Sequence, residues 1–176
     1  MKKLILIQSG SCRTFKAVIA LGLTMACFAL LPRAQAADGG LPNFNTAEGD
    51  NALSSLTTGA ANTAVGWFSL LSTTDTNFNT ATGAGSLLFN TANDNTAFGA
   101  AALLFNTTGG DNAAVGAAAL ENNVDGSDNN AIGSFALNAN VSGTFNNAHG
   151  RNCLLNSTGD QNNAMGDDAM ENNTTG

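Results

Sequence analysis

Asn95-Thr-Ala-Phe-Gly99, Asn112-Ala-Ala-Val-Gly116 and Asn129-Asn-Ala-Ile-Gly133 are three renderings of one phrase, and upstream Asn62-Thr-Ala-Val-Gly66 is a fourth. The closing glycine recurs at Gly49, Gly66, Gly83, Gly99, Gly116, Gly133, Gly150 and Gly166, at spacings of 16 or 17 residues. A fixed period of that length marks a repeat architecture, in which each unit is one supersecondary element that cannot bury its apolar face alone. Alignment on the glycines yields further columns. Asn stands four residues before each Gly, including Asn62, Asn95, Asn112 and Asn129. Ala stands two before it, including Ala64, Ala97, Ala114 and Ala131. Four after it comes Leu (Leu53, Leu70, Leu87, Leu103, Leu120, Leu137, Leu154) and in the last unit Met170, always preceded by a small residue. The rest of each unit is a Thr/Asn/Gly/Asp turn, where the one-residue changes in length fall.

A 17-residue unit is too short for a helix of ordinary length, a strand and their connections. The pattern predicts a mainly β fold: a parallel β-solenoid, or β-roll, of eight 16–17-residue coils over residues 45–176, each coil made of two short strands and tight turns. Coils about 4.8 Å apart turn every column into a ladder of like side chains and give a rod roughly 38 Å long. In that ladder Leu is the core, each buried side chain worth roughly 1.5–3 kcal/mol. Ala keeps the facing strand close. Gly takes a corner angle that other residues resist. Stacked Asn hydrogen-bond along the axis.

The residue before each Gly reads Glu48, Val65, Thr82, Phe98, Val115, Ile132, His149, Met165. Alternation puts it on the face opposite Ala. It is either an exposed apolar stripe, the mark of an interface, or a second, looser layer of core. Asp94, Asp111 and Asp128 precede the ladder Asn in three successive coils. Carboxylates stacked that closely repel unless a hard cation such as calcium bridges them; the alternative is three ordinary turn residues facing water. Phe89 and Phe105 share an offset and are expected to stack. Trp67 and Phe68 follow a corner, where core packing competes with a glycan-binding platform. His149 and Cys153 lie four apart across a Gly corner, with Cys153 filling the small-residue column and His149 on the outer face. No catalytic constellation or cofactor motif is found, and the chain is expected not to be an enzyme.

The N-terminus reads differently. Lys2, Lys3, Arg13 and Lys16 precede an apolar run from Ala17 to Leu31, and Ala34-Gln35-Ala36 has the small-x-small form of a cleavage site. Residues 1–36 are expected to be a signal peptide and 37–44 a linker. Without the leader, thirteen acidic residues face Arg151 alone, a formal charge of −12. That balance argues against nucleic acid, whose phosphates require Lys and Arg, and against a polybasic membrane contact. Cys153 alone cannot form an internal disulfide.

The Asn-Thr-Ala-Val-Gly phrase, followed by a small residue, Leu and then Asn-Thr-Thr-Gly, resembles the head repeats of YadA-like trimeric autotransporter adhesins. The resemblance covers residues 45–176. It implies a left-handed parallel β-roll, assembled as a homotrimer on the outer membrane at the bacterial surface, that attaches to host matrix or to other cells. Gly176 closes a repeat with no polar cap after it, so the sequence is expected to be a fragment of a longer protein, the alternative being a last coil covered by a partner. The competing readings are a secreted ice-binding β-solenoid and a structural fibre segment. Ice binding needs a flat array of Thr, and the candidate column reads Thr46, Thr63, Thr80, Thr96 before passing to Ala113, Asn130, Asn147 and Asn163.

Overall fold

A computed structural model describes residues 41–175. The expected signal peptide and the first half of the expected linker, residues 37–40, lie outside the described residues. Residues 41–175 form a parallel β-solenoid. Its eight strands are three residues each: β1 (Thr46–Glu48), β2 (Thr63–Val65), β3 (Thr80–Thr82), β4 (Thr96–Phe98), β5 (Ala113–Val115), β6 (Asn130–Ile132), β7 (Asn147–His149) and β8 (Asn163–Met165). They make one parallel sheet in sequence order. The register is strict, with each Ala opposite the next coil's Ala, from Ala47 on Ala64 to Ala148 on Ala164. Below, each coil is called a rung and numbered by its strand.

The interior is filled by the repeat columns. Leu70, Leu87, Leu103, Leu120, Leu137 and Leu154 are fully buried, facing the Ala column and the small residues Ala102, Ala119, Ala136 and Cys153. The ladder Asn are buried with them. At the base, Leu41 packs against the core, and a short 3-10 turn at Pro42–Phe44 offers the Pro42 carbonyl to Asn45 Nδ2 at 2.6 Å.

The expected second strand does not form. Every core Leu lies at positive φ, between 48° and 52° for Leu70, Leu87, Leu103, Leu120, Leu137 and Leu154, and so does the residue two before it. That conformation costs a non-glycine residue roughly 1–2 kcal/mol. It reverses the direction of successive amides: Phe68 N–H donates down to Asp50 O, whereas Leu70 N–H donates up to Ser86 O. The Leu segment is thereby stitched to both neighbours without a strand ladder. The glycine corner is tighter still. Gly66 has φ 130°, and a Cβ there would lie 2.7 Å from the carbonyl carbon of Gly83 in the next rung.

Candidate functional surface

The ladder asparagines act as staples. Asn112 Oδ1 accepts the main-chain N–H of Asn129 at 3.0 Å, and Asn112 Nδ2 donates to Gly126 O at 2.9 Å. The same pair of bonds recurs at Asn129, which receives Asn146 N–H and donates to Gly143 O, and upstream at Asn62, with Asn79 N–H and Thr76 O as partners. Each amide therefore ties one rung to the next twice. The repeat columns Asn62, Asn95, Asn112, Asn129 and their Ala, Gly and Leu counterparts are all spent on this interior.

A second asparagine ladder was not singled out from the sequence. Asn90, Asn106, Asn123 and Asn140, three residues after the core Leu, are fully buried. Each Nδ2 reaches the amide oxygen below, at 2.8, 2.7 and 2.8 Å from Asn106, Asn123 and Asn140 in turn. Thr73 and Ser157 occupy this column in other rungs, which hides it in a polar turn. Where Ser157 replaces Asn, Asn140 Oδ1 is buried without a partner. Ser157→Asn is expected to supply the missing donor and raise stability by about 1 kcal/mol, read by urea denaturation. The turn from rung 3 to rung 4 shows that Asn fits there, since Asn90 and Asn95 are spaced like Ser157 and Asn162.

The column before glycine faces outward. Strand burial alternates around the enclosed Ala, and Phe98 is 59% exposed, Val115 39% and Ile132 42%. The second-core alternative is thus excluded, and an in-register apolar stripe lies on the sheet's outer face. Trp67 is 60% exposed, braced edge-on by Phe68 at 4.3 Å, so it is not core. Phe89 and Phe105 stack as expected, centroids 5.7 Å apart and 7° from parallel. That column continues as Asn122 and Ala139, while Val124 and Val141 are exposed in the column two residues further on, above Thr91 and Thr107.

The remaining candidates do not converge. Cys153 is buried, its thiol 3.3 Å from the Ala164 carbonyl. His149 lies outside, its Nε2 3.3 Å from Asn130 Nδ2. The two side chains are on opposite sides of the coil wall and form no dyad. Burial pushes the Cys153 thiol up, with a backbone hydrogen bond from His149 opposing. A raised thiol pKa favours the fold below the ordinary cysteine range, and that contribution is lost as pH climbs above it. Cys153 is accordingly expected to resist an aromatic disulfide reagent at pH 8 and to react fully in denaturant. Asp94, Asp111 and Asp128 are exposed at φ 60°, 57° and 58°, a conformation in which Asp is enriched. No group of three His, Cys, Asp or Glu side chains converges among the described residues. The melting temperature is expected to be the same in millimolar calcium and in chelator.

Fold and columns together define a parallel β-solenoid of the asparagine-ladder kind. Compared with family models, curated proteins and solved structures, the chain matches none.

Proposed function

We propose that this chain is a non-enzymatic attachment module, exported and held at a bacterial surface or released outside the cell, whose side faces bind other macromolecules. One observation carries the reading: Phe98, Val115 and Ile132 form an in-register row on the outer face of the sheet, each more than a third exposed. Contiguous exposed apolar rows of this kind mark interaction sites. The interior supports it from the other side, because the Asn, Ala, Gly and Leu columns are consumed in holding the rod.

For the homotrimer implied by the YadA-like resemblance, our candidate contact is the exposed stacked pair Phe89 and Phe105, which three parallel copies would turn toward a common axis. Sedimentation of residues 37–176 tests it. A three-chain mass that falls to one chain in Phe105→Asp is expected, and a monomeric parent removes the trimer. Attachment itself is tested with protein-coated beads on matrix-coated and cell-coated surfaces; no retention above an uncoated control ends the reading.

A second reading keeps one specific support. Thr46, Thr63, Thr80 and Thr96 stand opposite one another on the outer face, as an ice-binding array requires, before Ala113 breaks it. Thermal hysteresis in a dilute solution of the chain would favour this reading over attachment.

A further inference from the structure

We propose that the outer surface around Trp67 is a saccharide-binding site and that it takes a neutral sugar chain. The site lies in rungs 1–3, apart from the row of Phe98, Val115 and Ile132, so it stands or falls independently of the attachment reading.

The indole is a platform. At 60% exposed it is not core, which leaves the glycan-binding alternative for this corner aromatic. Phe68 packs edge-on against it, centroids 4.3 Å apart and planes at 88°. That brace fixes the ring before a ligand arrives, so stacking on it costs little further side-chain entropy. The rung above leaves the ring uncovered. Gly85 N–H donates to Trp67 O at 2.8 Å, which sets Ala84 and Gly85 over Trp67 and Phe68. Ala84 adds one methyl group, and a Cβ built on Gly85 would meet only Leu104 Cδ1, at 3.4 Å. A sugar ring carries C–H groups on its faces, and these pack on the electron-rich face of an indole.

The surrounding polar groups narrow the ligand. Phe68 N–H donates down to Asp50 O at 2.9 Å, so Asp50 and Asn51 lie beneath the aromatic pair. Glu48, Val65 and Thr82 run in register beside them, two residues back along each rung. The side chains of Glu48, Asp50, Asn51 and Thr82 make no hydrogen bond or ion pair among the described residues. The two carboxylates accept, whereas the amide and the hydroxyl both accept and donate. Only a ligand that does both uses all four, as neighbouring sugar hydroxyls do. An ammonium or guanidinium ion donates only and leaves the Asn51 and Thr82 donors idle. A uronate, sulfate or phosphate ester sets its charge against Glu48 and Asp50. An added peptide strand finds the corner amides already taken, Gly66 N–H by Glu48 O at 2.7 Å and Gly83 N–H by Val65 O at 2.8 Å.

Trp67 is the only tryptophan in the sequence, so its emission reports on this site alone. The probes are soluble neutral oligomers of glucose, mannose, galactose and N-acetylglucosamine. The expected result is a saturable blue shift with at least one of them, at an affinity at least tenfold above that for a galacturonic acid oligomer or for tetramethylammonium. Asp50→Asn is expected to weaken that binding about tenfold, since a hydrogen bond to a charged group is lost. Ala84→Leu, which overhangs the indole, is expected to abolish it, and Phe98→Asp to leave it unchanged. The Ala84 column holds Trp67 and Arg151 in other rungs, so a large side chain fits there, and an unchanged melting temperature confirms folding. Trp67→Ala, which has no reporter, is expected to pass unretained through a column of the preferred oligomer that holds the parent back. No response to any neutral oligomer, tighter binding of the galacturonic acid oligomer or of tetramethylammonium, or full affinity in Ala84→Leu overturns the proposal. Bead adhesion is scored separately. If beads do not adhere and the titration succeeds, attachment fails and the saccharide site stands; with the results reversed, the site fails and attachment stands.

Discussion

Gly116→Ala is expected to destabilise the solenoid by more than about 3 kcal/mol in urea denaturation, whereas Gly85→Ala costs about 1 kcal/mol or less. Both add one methyl group. Gly116 has φ 138°, and the new Cβ would fall 2.5 Å from the Gly133 carbonyl carbon. Holding a non-glycine residue at such an angle costs of order 1–3 kcal/mol, and the clash adds to it. Rung 6 cannot retreat freely, because Gly133 N–H is bonded to Val115 O at 2.8 Å. Relief therefore opens the rung junction. Gly85 has φ 67°, its added Cβ meets only Leu104 Cδ1 at 3.4 Å, and Ala101 and Ala118 hold the same place at φ 58° and 55° in the next rungs. Equal costs at the two glycines would mean that the corner columns are not in contact and that the stacked arrangement is wrong.

This contrast also shows where the sequence is informative. The Gly, Ala, Leu and first Asn columns are legible because each position has the same kind of neighbour above and below, so contact selects one residue type in every coil, with Met170 the single departure in the Leu column. Alternation around Ala gave the orientation of the Phe98 column, but an apolar residue on the far side of a three-residue strand reads equally as buried or exposed. The αL leucines are invisible in sequence: Leu is an ordinary strand or helix former, and only the requirement that its amide and its neighbour's point to opposite rungs forces φ positive. The second Asn ladder is masked for a different reason. Its column passes through Thr73 and Ser157 and sits in the turn where coil length varies, so polar residues that are fully buried look like surface. A signal was present in Asn106, Asn123 and Asn140, spaced by 17 and always three after Leu.

Asn112→Ala is the second large effect, an expected loss of about 3 kcal/mol against less than about 0.5 kcal/mol for Asn163→Ala. Asn163 is exposed on the outer face. Truncating Asn112 removes the acceptor of Asn129 main-chain N–H and of its Nδ2, at 3.0 and 3.1 Å. Both donors are enclosed where water cannot replace the lost oxygen; Nδ2 keeps its bond to Gly143 O at 2.8 Å, but the main-chain N–H is left unpaired, and a buried unpaired group costs roughly 1–3 kcal/mol. Gly126 O suffers less, since Asn123 Nδ2 still donates to it at 2.8 Å. The damage is therefore confined to the junction between rungs 5 and 6. In a stacked repeat, stability is a sum of unit terms and nearest-neighbour terms, so weakening one central junction uncouples the halves on either side. Thermal unfolding of Asn112→Ala is expected to broaden or split, with amide exchange accelerating first beside the substituted junction. A uniform loss of protection along the whole rod, with a sharp single transition, would show that the rungs are held by something other than contacts between neighbours.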